Sequence, residues 1–194
     1  MTNPIRLRTL RLKLLPLAAA LLLAGCGGGP APTTYDLSAP RDFGRVGGGA
    51  SIVVATPATV QAFDSDRLIV KDSSGALSFL GGAQWADTIP NLVQTRLIQT
   101  FENASRIAAV ARPGERITPD LQLNTDIRSF NIDAASGQAV VEITAKLVGD
   151  RTGRVARAKV FSARVPGAAD GAGAARALDQ ALSQVLIQIV RWAR

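Results

Sequence analysis

One residue in this sequence has a type and a setting that define its chemistry, the single cysteine Cys26. The chain contains no histidine and no second cysteine. This composition excludes an intrachain disulfide, a zinc site of the Cys/His kind, a Cys–His nucleophile and a Ser-His-Asp triad. Any catalysis by these residues would have to use carboxylate, lysine or serine groups without histidine.

The carboxylates are not spaced like the acid and base of a hydrolase. Asp64 and Asp66 stand beside Arg67 in a predicted loop, where short acidic runs usually form turns. Asp120 and Asp126 lie on the polar side of a predicted strand, spread over about 20 Å. No lysine follows a serine in a Ser-x-x-Lys motif. These observations predict a protein that is not an enzyme.

The glycine clusters do not predict a phosphate or cofactor site. Residues 27–29 and 47–49 are glycines, but no predicted helix and no lysine follow them as in a phosphate-binding loop. Their interpretation is therefore tether or loop, and we expect no cofactor and no metal.

The first 25 residues have the three parts of a lipoprotein signal peptide. Four cations and no acid fall in residues 1–13, and an apolar stretch follows at 14–24. That stretch is shorter than the about 20 residues that span a bilayer as a helix. It ends in Leu23, Ala24 and Gly25 before Cys26, which resembles the lipobox of bacterial lipoproteins. The sequence thus predicts a leader at 1–25 and lipid attachment at Cys26.

The residues after the cysteine predict where the lipid would hold the chain. Residues 26–50 form a lipidated N-terminus and tether that contains a short alternating segment at 34–38, predicted as an edge strand. The free part, residues 27–33, then reaches about 25 Å at most. Two or three acyl chains make a persistent anchor, because each buried methylene contributes about 0.8 kcal/mol. Residue 27 is Gly rather than Asp, and the sorting rule for such lipoproteins then predicts the periplasmic face of the outer membrane.

The charge does not indicate nucleic-acid binding. The formal net charge is +7, but four of the 22 basic residues belong to the leader, which leaves 18 against 15 acidic residues and a net of +3. The remaining cations are scattered without interleaved aromatic residues. Nucleic acid is therefore not expected as a partner.

The segments up to residue 104 predict strands and then a helix. Runs at 51–56, 67–71 and 76–80 are apolar, and the last two flank a four-residue turn as in a β-hairpin. The first helix is predicted at 84–104, and Pro90 favours a start of regular helix near Asp87 or Thr88. Its apolar face contains Trp85, Ile89, Leu92, Val93, Leu97 and Phe101. Arg96 projects into that face, where it either extends past the core edge or pairs with a carboxylate.

The second half predicts four strands and a final helix. A short strand at 107–110 precedes three alternating segments, and the phase of the first slips near Ser129 as at a β-bulge. Short connections favour an antiparallel meander. In the last helix, at 174–192, Ile187 and Val190 lie off the main apolar face, so they meet either another part of the sheet or a partner.

This order, three strands, a helix, four strands and a helix, predicts an α/β fold. Each helix has one apolar stripe that must be buried, and the strands supply the faces that bury it. We therefore expect a single mixed, largely antiparallel sheet packed with two main helices.

The order of these features resembles the ABC-type transport auxiliary lipoprotein family, of which PqiC is a known member. A lipobox is followed by Tyr35 and Leu37, then by a hairpin that starts at Arg67, and then by Trp85 and Pro90 at the opening of a helix. These five residues are the family-signature positions, with structural roles expected. The resemblance covers nearly the whole chain after the leader and assigns 51–194 to the auxiliary domain.

The resemblance implies a non-catalytic component of the cell envelope. Such lipoproteins work beside an ABC permease and ATPase and an MCE-domain (mammalian cell entry) protein, in systems that move phospholipid or other hydrophobic molecules between membranes. It also implies a fold similar to the N-terminal domain of TolB, and it allows a ring of copies of the chain.

Three alternatives remain open at this stage. One is an outer-membrane assembly lipoprotein similar to LptE, which would require a β-barrel partner. Another is a direct lipid carrier, which would require an apolar cavity. The third is an envelope hydrolase, which would require a clustered and partly buried pair of carboxylates.

Overall fold

The computed structural model describes residues 30–41, 43–44, 50–104 and 109–193. The chain divides into the units Met1–Ala31 and Pro32–Arg194, and every element named below lies in the second unit. In chain order these elements are β1 (Thr33–Tyr35), β2 (Ser51–Val54), β3 (Ala58–Thr59), β4 (Arg67–Lys71), β5 (Leu77–Trp85), α1 (Ile89–Asn103), β6 (Ala109–Ala111), β7 (Leu121–Asp133), β8 (Gln138–Gly149), β9 (Val155–Pro166) and α2 (Gly171–Trp192).

Strand β7 organises the sheet because both of its edges are occupied. One edge pairs antiparallel with β8, which in turn pairs antiparallel with β9. The other edge is shared by β2, β3 and β4, which lie parallel to β7 one after another along its length. Outside these, β6 pairs parallel with β2, while β5 pairs antiparallel with β4 and parallel with β1. The predicted α/β fold with one mixed sheet and two helices is confirmed.

The predicted hairpin and meander are also confirmed. The turn between β4 and β5 is closed by the Gly75 amide, which donates to the Asp72 carbonyl over 3.1 Å. The register of β7 against β8 shifts between Ile127 and Ser129, where the slip of the apolar phase predicts a bulge. Leu123, Thr125 and Ile127 of β7 are buried before this shift and Phe130 and Ile132 after it, as expected when one face of a strand is buried.

The first helix starts later than its apolar spacing suggests. It begins at Ile89, with Thr88 as the N-cap and a proline in its first turn. Trp85, predicted on the apolar face of the helix, is instead the last residue of β5, opposite Tyr35 of β1. Its amide donates to the Asp66 carbonyl over 2.7 Å, so its backbone is committed to extended structure.

The edge strand and the last helix also differ from their predicted bounds. Strand β1 covers Thr33–Tyr35 rather than 34–38, and the residues after it run on without strand pairing. The last helix begins at Gly171 because the Asp170 side chain accepts a hydrogen bond from the Gly173 amide over 2.7 Å and caps it. Of the predicted strand at 107–110, residues 107 and 108 lie outside the described residues, and β6 continues to Ala111.

The core forms where both helices pack against the sheet. Trp85 is 1% exposed, and its ring meets Phe130 of β7 edge to face with centroids 5.9 Å apart. Val190 of α2 is also 1% exposed, which confirms that this off-face residue packs inside, while Ile187 is partly buried. A buried side-chain amide also connects α1 to the sheet, since Gln94 Nε2 of α1 donates to the Val54 carbonyl of β2 over 3.0 Å.

Candidate functional site

The N-terminal segment, defined here as residues 33–41 and 43–44, lies against both helices. It starts as the edge strand β1, whose Tyr35 carbonyl accepts a hydrogen bond from the Ala86 amide over 2.8 Å. Leu37, two residues later, is 3% exposed and belongs to the core, and Phe43 packs against the same core from a half-buried position. The chain just after the predicted tether is therefore part of the folded domain.

An ion pair fixes this segment to α1. Arg96 Nη2 lies 2.5 Å from Asp36 Oδ2, and Arg96 Nη1 donates to Gln99 Oε1 over 2.8 Å. The Arg96 side chain is 14% exposed and the Asp36 side chain 56%. Of the two placements open from the sequence for Arg96, the structure shows the pair with a carboxylate.

A second set of hydrogen bonds fixes the segment to α2. The Ser38 amide and hydroxyl donate to the two carboxylate oxygens of Asp179 over 2.6 and 2.7 Å. Arg191 in the last turn of α2 donates to the Phe43 carbonyl over 2.8 Å. Because the Asp179 carboxylate accepts both Ser38 bonds, these are charge-assisted and stronger than neutral ones.

A polar cleft opens between the N-terminal segment and α1. Its volume is about 510 Å³. Its lining includes Asp36 and Arg41 from the segment and Gln99, Glu102 and Asn103 from α1. Charges of both signs line the cleft, and Asn103 Nδ2 already donates to the Pro40 carbonyl over 2.9 Å. Its lining therefore suits polar groups rather than an acyl chain.

The five predicted family-signature residues lie at two places. Tyr35, Leu37, Trp85 and Pro90 surround the junction of β1, β5 and α1, where Trp85 is opposite Tyr35 and Pro90 is buried in the first turn of the helix. Arg67 stands apart, exposed at the start of β4, with its guanidinium 5.3 Å from the centroid of the Phe79 ring.

Phe79 and its neighbour Leu77 form an apolar surface on the hairpin. They are 56% and 42% exposed, on the same side of β5. The strand then bulges, because Ile69 is opposite Phe79 but Arg67 is opposite Gln84. Gly82 within this bulge has a φ of +71°, a conformation that favours glycine.

The acidic residues considered for catalysis are dispersed. Asp66 contributes its carbonyl to the Trp85 amide, and the Asp120 carboxylate accepts from the Ser51 amide over 2.8 Å. Asp126 lies in the middle of β7, and Asp64 follows a turn. Within the described ranges no group of three or more acidic, histidine or cysteine side chains is arranged to hold a metal ion.

Two exposed aspartates have pKa values below their usual range, and both serve turns. Hydrogen bonds from the Ser74 hydroxyl and the Ala76 amide lower the pKa of Asp72 in the hairpin turn. The Ser136 amide is the main cause that lowers the pKa of Asp133 between β7 and β8. The hydrogen bonds stabilise the ionised carboxylates at the two turns, which is a structural role.

Comparison with known proteins identifies the family. The model of the ABC-type transport auxiliary lipoprotein component matches residues 35–190, from the last residue of β1 to near the end of α2. The chain belongs to this family. Membership of this family of lipoprotein components implies a location in the cell envelope.

Two other proteins are similar to this chain over most of its length. An uncharacterized protein from Bradyrhizobium diazoefficiens, bll6063, is 35% identical over 175 residues, which are 86% of this chain and 46% of the relative. The chain thus spans about half the length of that curated relative. The crystal structure of XCC0632 from Xanthomonas campestris, described under the family DUF330, superposes with a TM-score of 0.76 at 30% identity, over 83% of this chain and 94% of that one.

A second crystal structure, of an uncharacterized protein, shares the fold. Its TM-score is 0.68 at 15% identity, over 85% of this chain and all of that one. The likeness to the N-terminal domain of TolB stays a prediction.

The residues of the predicted anchor lie outside the described part of the chain. This holds for the leader at 1–25, the lipobox residues Leu23, Ala24 and Gly25, and for Cys26 and Gly27. Among the described residues, neither helix has the length and apolar character needed to cross a bilayer.

The contacts that hold the N-terminal segment could not be predicted from the sequence. Arg96 is visible in the sequence as a cation on an apolar face, which indicates that it needs a partner. Nothing in the sequence selects Asp36 as that partner or pairs Ser38 with Asp179, since 60 and 141 residues separate the members of these pairs.

Proposed function

We propose that this chain is anchored by lipid on Cys26 at the periplasmic face of the outer membrane and serves there as a non-catalytic auxiliary component of an ABC/MCE-type system. The system would move phospholipid or other hydrophobic molecules across the envelope, with an ABC permease, an ATPase and an MCE-domain protein as partners. The observation that carries the proposal is the family match over residues 35–190.

The attachment of the N-terminal segment supports an auxiliary role at a membrane. Contacts to α1 and α2 begin at Asp36 and Ser38, and β1 is paired from Thr33 onward. Six residues separate Cys26 from Thr33, so a lipid on Cys26 would hold β1 within about 20 Å of the point of attachment. Such a short connection would keep the domain within reach of partners at the membrane surface.

The described clefts give no support to the alternative of a direct lipid carrier. The cleft beside α1 is lined mainly by polar side chains, among them Asp36, Arg96 and Glu102. A second one, beside Asn124 and Lys146, has a volume of about 170 Å³, which is below the about 300 Å³ of ordinary ligand pockets.

The anchor is tested by Cys26→Ser in the native cell, with metabolic labelling by palmitate and membrane fractionation. We expect the variant to lose the label and leave the membrane fraction. Gly27→Asp tests the sorting step separately, because it should keep the label and move the protein to the inner-membrane fraction. A Cys26→Ser protein that stays membrane-bound would refute the anchor.

The transport role is tested by purifying the full chain in mild detergent after crosslinking in cells. Co-purification of an ABC permease, its ATPase and an MCE-domain protein is the expected result. Recovery of an outer-membrane β-barrel instead would favour the LptE-like alternative. Lipid extracted in one-to-one amount from the Cys26→Ser protein would favour direct carriage.

A further inference from the structure

The first half of β9 is an exposed sheet edge with an unusual charge. Among the described residues, β9 pairs only with β8, so its other edge is left open. Every residue from 151 to 160 is exposed, whereas Phe161, Ala163 and Val165 further along the strand are buried. An open edge presents backbone N–H and C=O groups that can pair with another chain.

This half of the strand is held in an ordered position. It pairs with β8 without interruption from Arg157, which is opposite Leu147, to Lys159. Lys159 is opposite Ala145. The Arg157 guanidinium stacks 5.0 Å from the centroid of the Trp192 ring and donates to the Trp192 carbonyl, at the end of α2 where a cation is favoured. Trp192 in turn packs edge to face on Phe161 with centroids 5.4 Å apart.

All the charges along this edge are positive. Residues 151–166 contain Arg151, Arg154, Arg157, Lys159 and Arg164 and no acid. Arg157 and Lys159 project to the side of the sheet where Phe161 packs against α2, since alternate residues of a strand share a face. Ala158 and Val160 project to the opposite side, and Val160 is 44% exposed.

This charge disfavours pairing with a second copy of the same strand. A twofold antiparallel pairing centred on Arg157, Ala158 or Lys159 brings two cations directly opposite each other. Like charges in that position destabilise a sheet. The same cations favour a strand that carries acids.

We infer that the open edge of β9 at residues 155–160 binds an extended acidic segment of a partner protein as an added strand. Acids at every second position of that segment lie opposite Arg157 and Lys159, and small or β-branched residues between them lie opposite Ala158 and Val160. Main-chain hydrogen bonds supply the attachment and the alternate side chains supply the specificity. The inference stands on the geometry of β9 and does not depend on the proposed transport role.

The binding test uses the full chain with Cys26→Ser and an eight-residue peptide that alternates Glu with Val and Thr. A matched peptide replaces the Val and Thr residues by Pro, which keeps the charge but removes every second backbone donor and disfavours an added strand. We expect the first peptide to bind, the Pro peptide to bind at least tenfold more weakly, and amides in 155–160 to gain protection from hydrogen exchange. Equal binding of both peptides, or protection elsewhere, overturns the inference.

Variants separate the strand site from overall charge. Lys159→Glu should weaken binding about two- to thirtyfold, because a favourable pair of opposite charges across the strands becomes an unfavourable pair of like charges. Arg164→Glu makes the same change in net charge on the opposite face of the strand, about 17 Å away, and should change binding less than twofold at 0.15 M salt. Equal effects of the two variants contradict the inference.

Anionic membranes are the competing explanation for the positive edge. Vesicles of phosphatidylglycerol, compared with phosphatidylcholine, are added to the same Cys26→Ser chain. We expect the peptide to displace any vesicle binding and to protect residues 155–160. Vesicle binding that Lys159→Glu abolishes, together with no binding of the peptide, overturns the inference in favour of a lipid surface.

Discussion

At the scale of single residues, the packing of the N-terminal segment against α1 depends on the side chain of Arg96. Its stem crosses the apolar side of the helix, and its Nε is buried without a hydrogen-bond partner among the described residues. The guanidinium therefore reaches Asp36 and Gln99 through its two other nitrogens. The aliphatic part of the side chain contributes packing that the ion pair alone does not.

This arrangement predicts unequal effects of changing the two partners. Asp36→Asn should cost at most about 1 kcal/mol of unfolding free energy, because its carboxylate is largely exposed. Arg96→Ala should cost about 1–3 kcal/mol, because packing and two hydrogen bonds are lost together. Urea unfolding measures both, with exposed Arg176→Ala on α2 as the control. Equal costs for Asp36→Asn and Arg96→Ala would contradict this account.

Trp85 predicts a second residue-scale result. Trp85→Ala should destabilise the fold by about 3–5 kcal/mol, as for other large buried aromatic residues. Trp85→Phe should cost less than half of that, because within the described part of the chain the buried indole Nε1 has no hydrogen-bond partner to lose. Urea midpoints again provide the measurement. If Trp85→Phe were as damaging as Trp85→Ala, a polar contact of the indole would be required.

Asp72 predicts a pH effect confined to the hairpin turn. Its Oδ1 accepts hydrogen bonds from the Ser74 amide and hydroxyl and from the Ala76 amide, so the folded pKa lies below the unfolded value near 3.9. The ionised carboxylate thus stabilises the turn above that value, and the stabilisation is lost as the pH falls through the folded pKa. Carboxyl chemical shifts followed by NMR should show this low midpoint. In Asp72→Asn the Ser74 amide shift should lose its low-pH titration.

At the scale of elements, the bulge in β5 separates the exposed end of the hairpin from its buried end. Gly81 and Gly82 both lie in the bulge with open space where an added methyl group would point, but only Gly82 has a positive φ. Gly82→Ala should therefore destabilise by about 1–2 kcal/mol, while Gly81→Ala should change stability little. Thermal unfolding of the pair provides a matched comparison. Equal behaviour of the two variants would mean that the backbone relaxes at the bulge.

Elements formed by interactions between neighbours in the sequence could be predicted, whereas elements formed by distant pairings could not. The hairpin, the meander and the bulge near Ser129 are local, so alternation and turn residues suffice to predict them. Strand β3 has two residues and exists only through its pairing with Asp126 and Ile127 of β7. Trp85 fits helical spacing equally well, and its pairing with the distant Tyr35 and its bond to the Asp66 carbonyl place it in a strand.

At the scale of the whole molecule, the N-terminal segment contacts both helices, whose contact residues Arg96 and Asp179 lie 60 and 141 residues further along the chain than their partners. The Ser38 contact to Asp179 should control how often this segment detaches. Hydrogen bonds to a charged group contribute about 1.5–3 kcal/mol, so Asp179→Ala should increase its opening at least tenfold. The sheet should remain folded, because its pairings do not involve Asp179.

Trypsin provides the measurement, since Arg41 is exposed within the N-terminal segment. Cleavage after Arg41 should accelerate at least tenfold in Asp179→Ala while circular dichroism stays unchanged. Asp126→Ala, an exposed acid on β7, is the control. Unchanged cleavage in Asp179→Ala would show that β1 and the Arg96 contact suffice to hold the segment.

The contacts between residues 38–43 and α2 also set an order of events during synthesis. Asp179 and Arg191 lie in the last helix, so they do not exist while the first hundred residues of the chain are being made. Ser38 and Phe43 therefore cannot make these contacts until α2 has been made, whereas β1 and Asp36 can already pair with β5 and Arg96. Docking of the N-terminal segment is thus completed only by the contacts of Ser38 and Phe43 with α2, the last helix to be made.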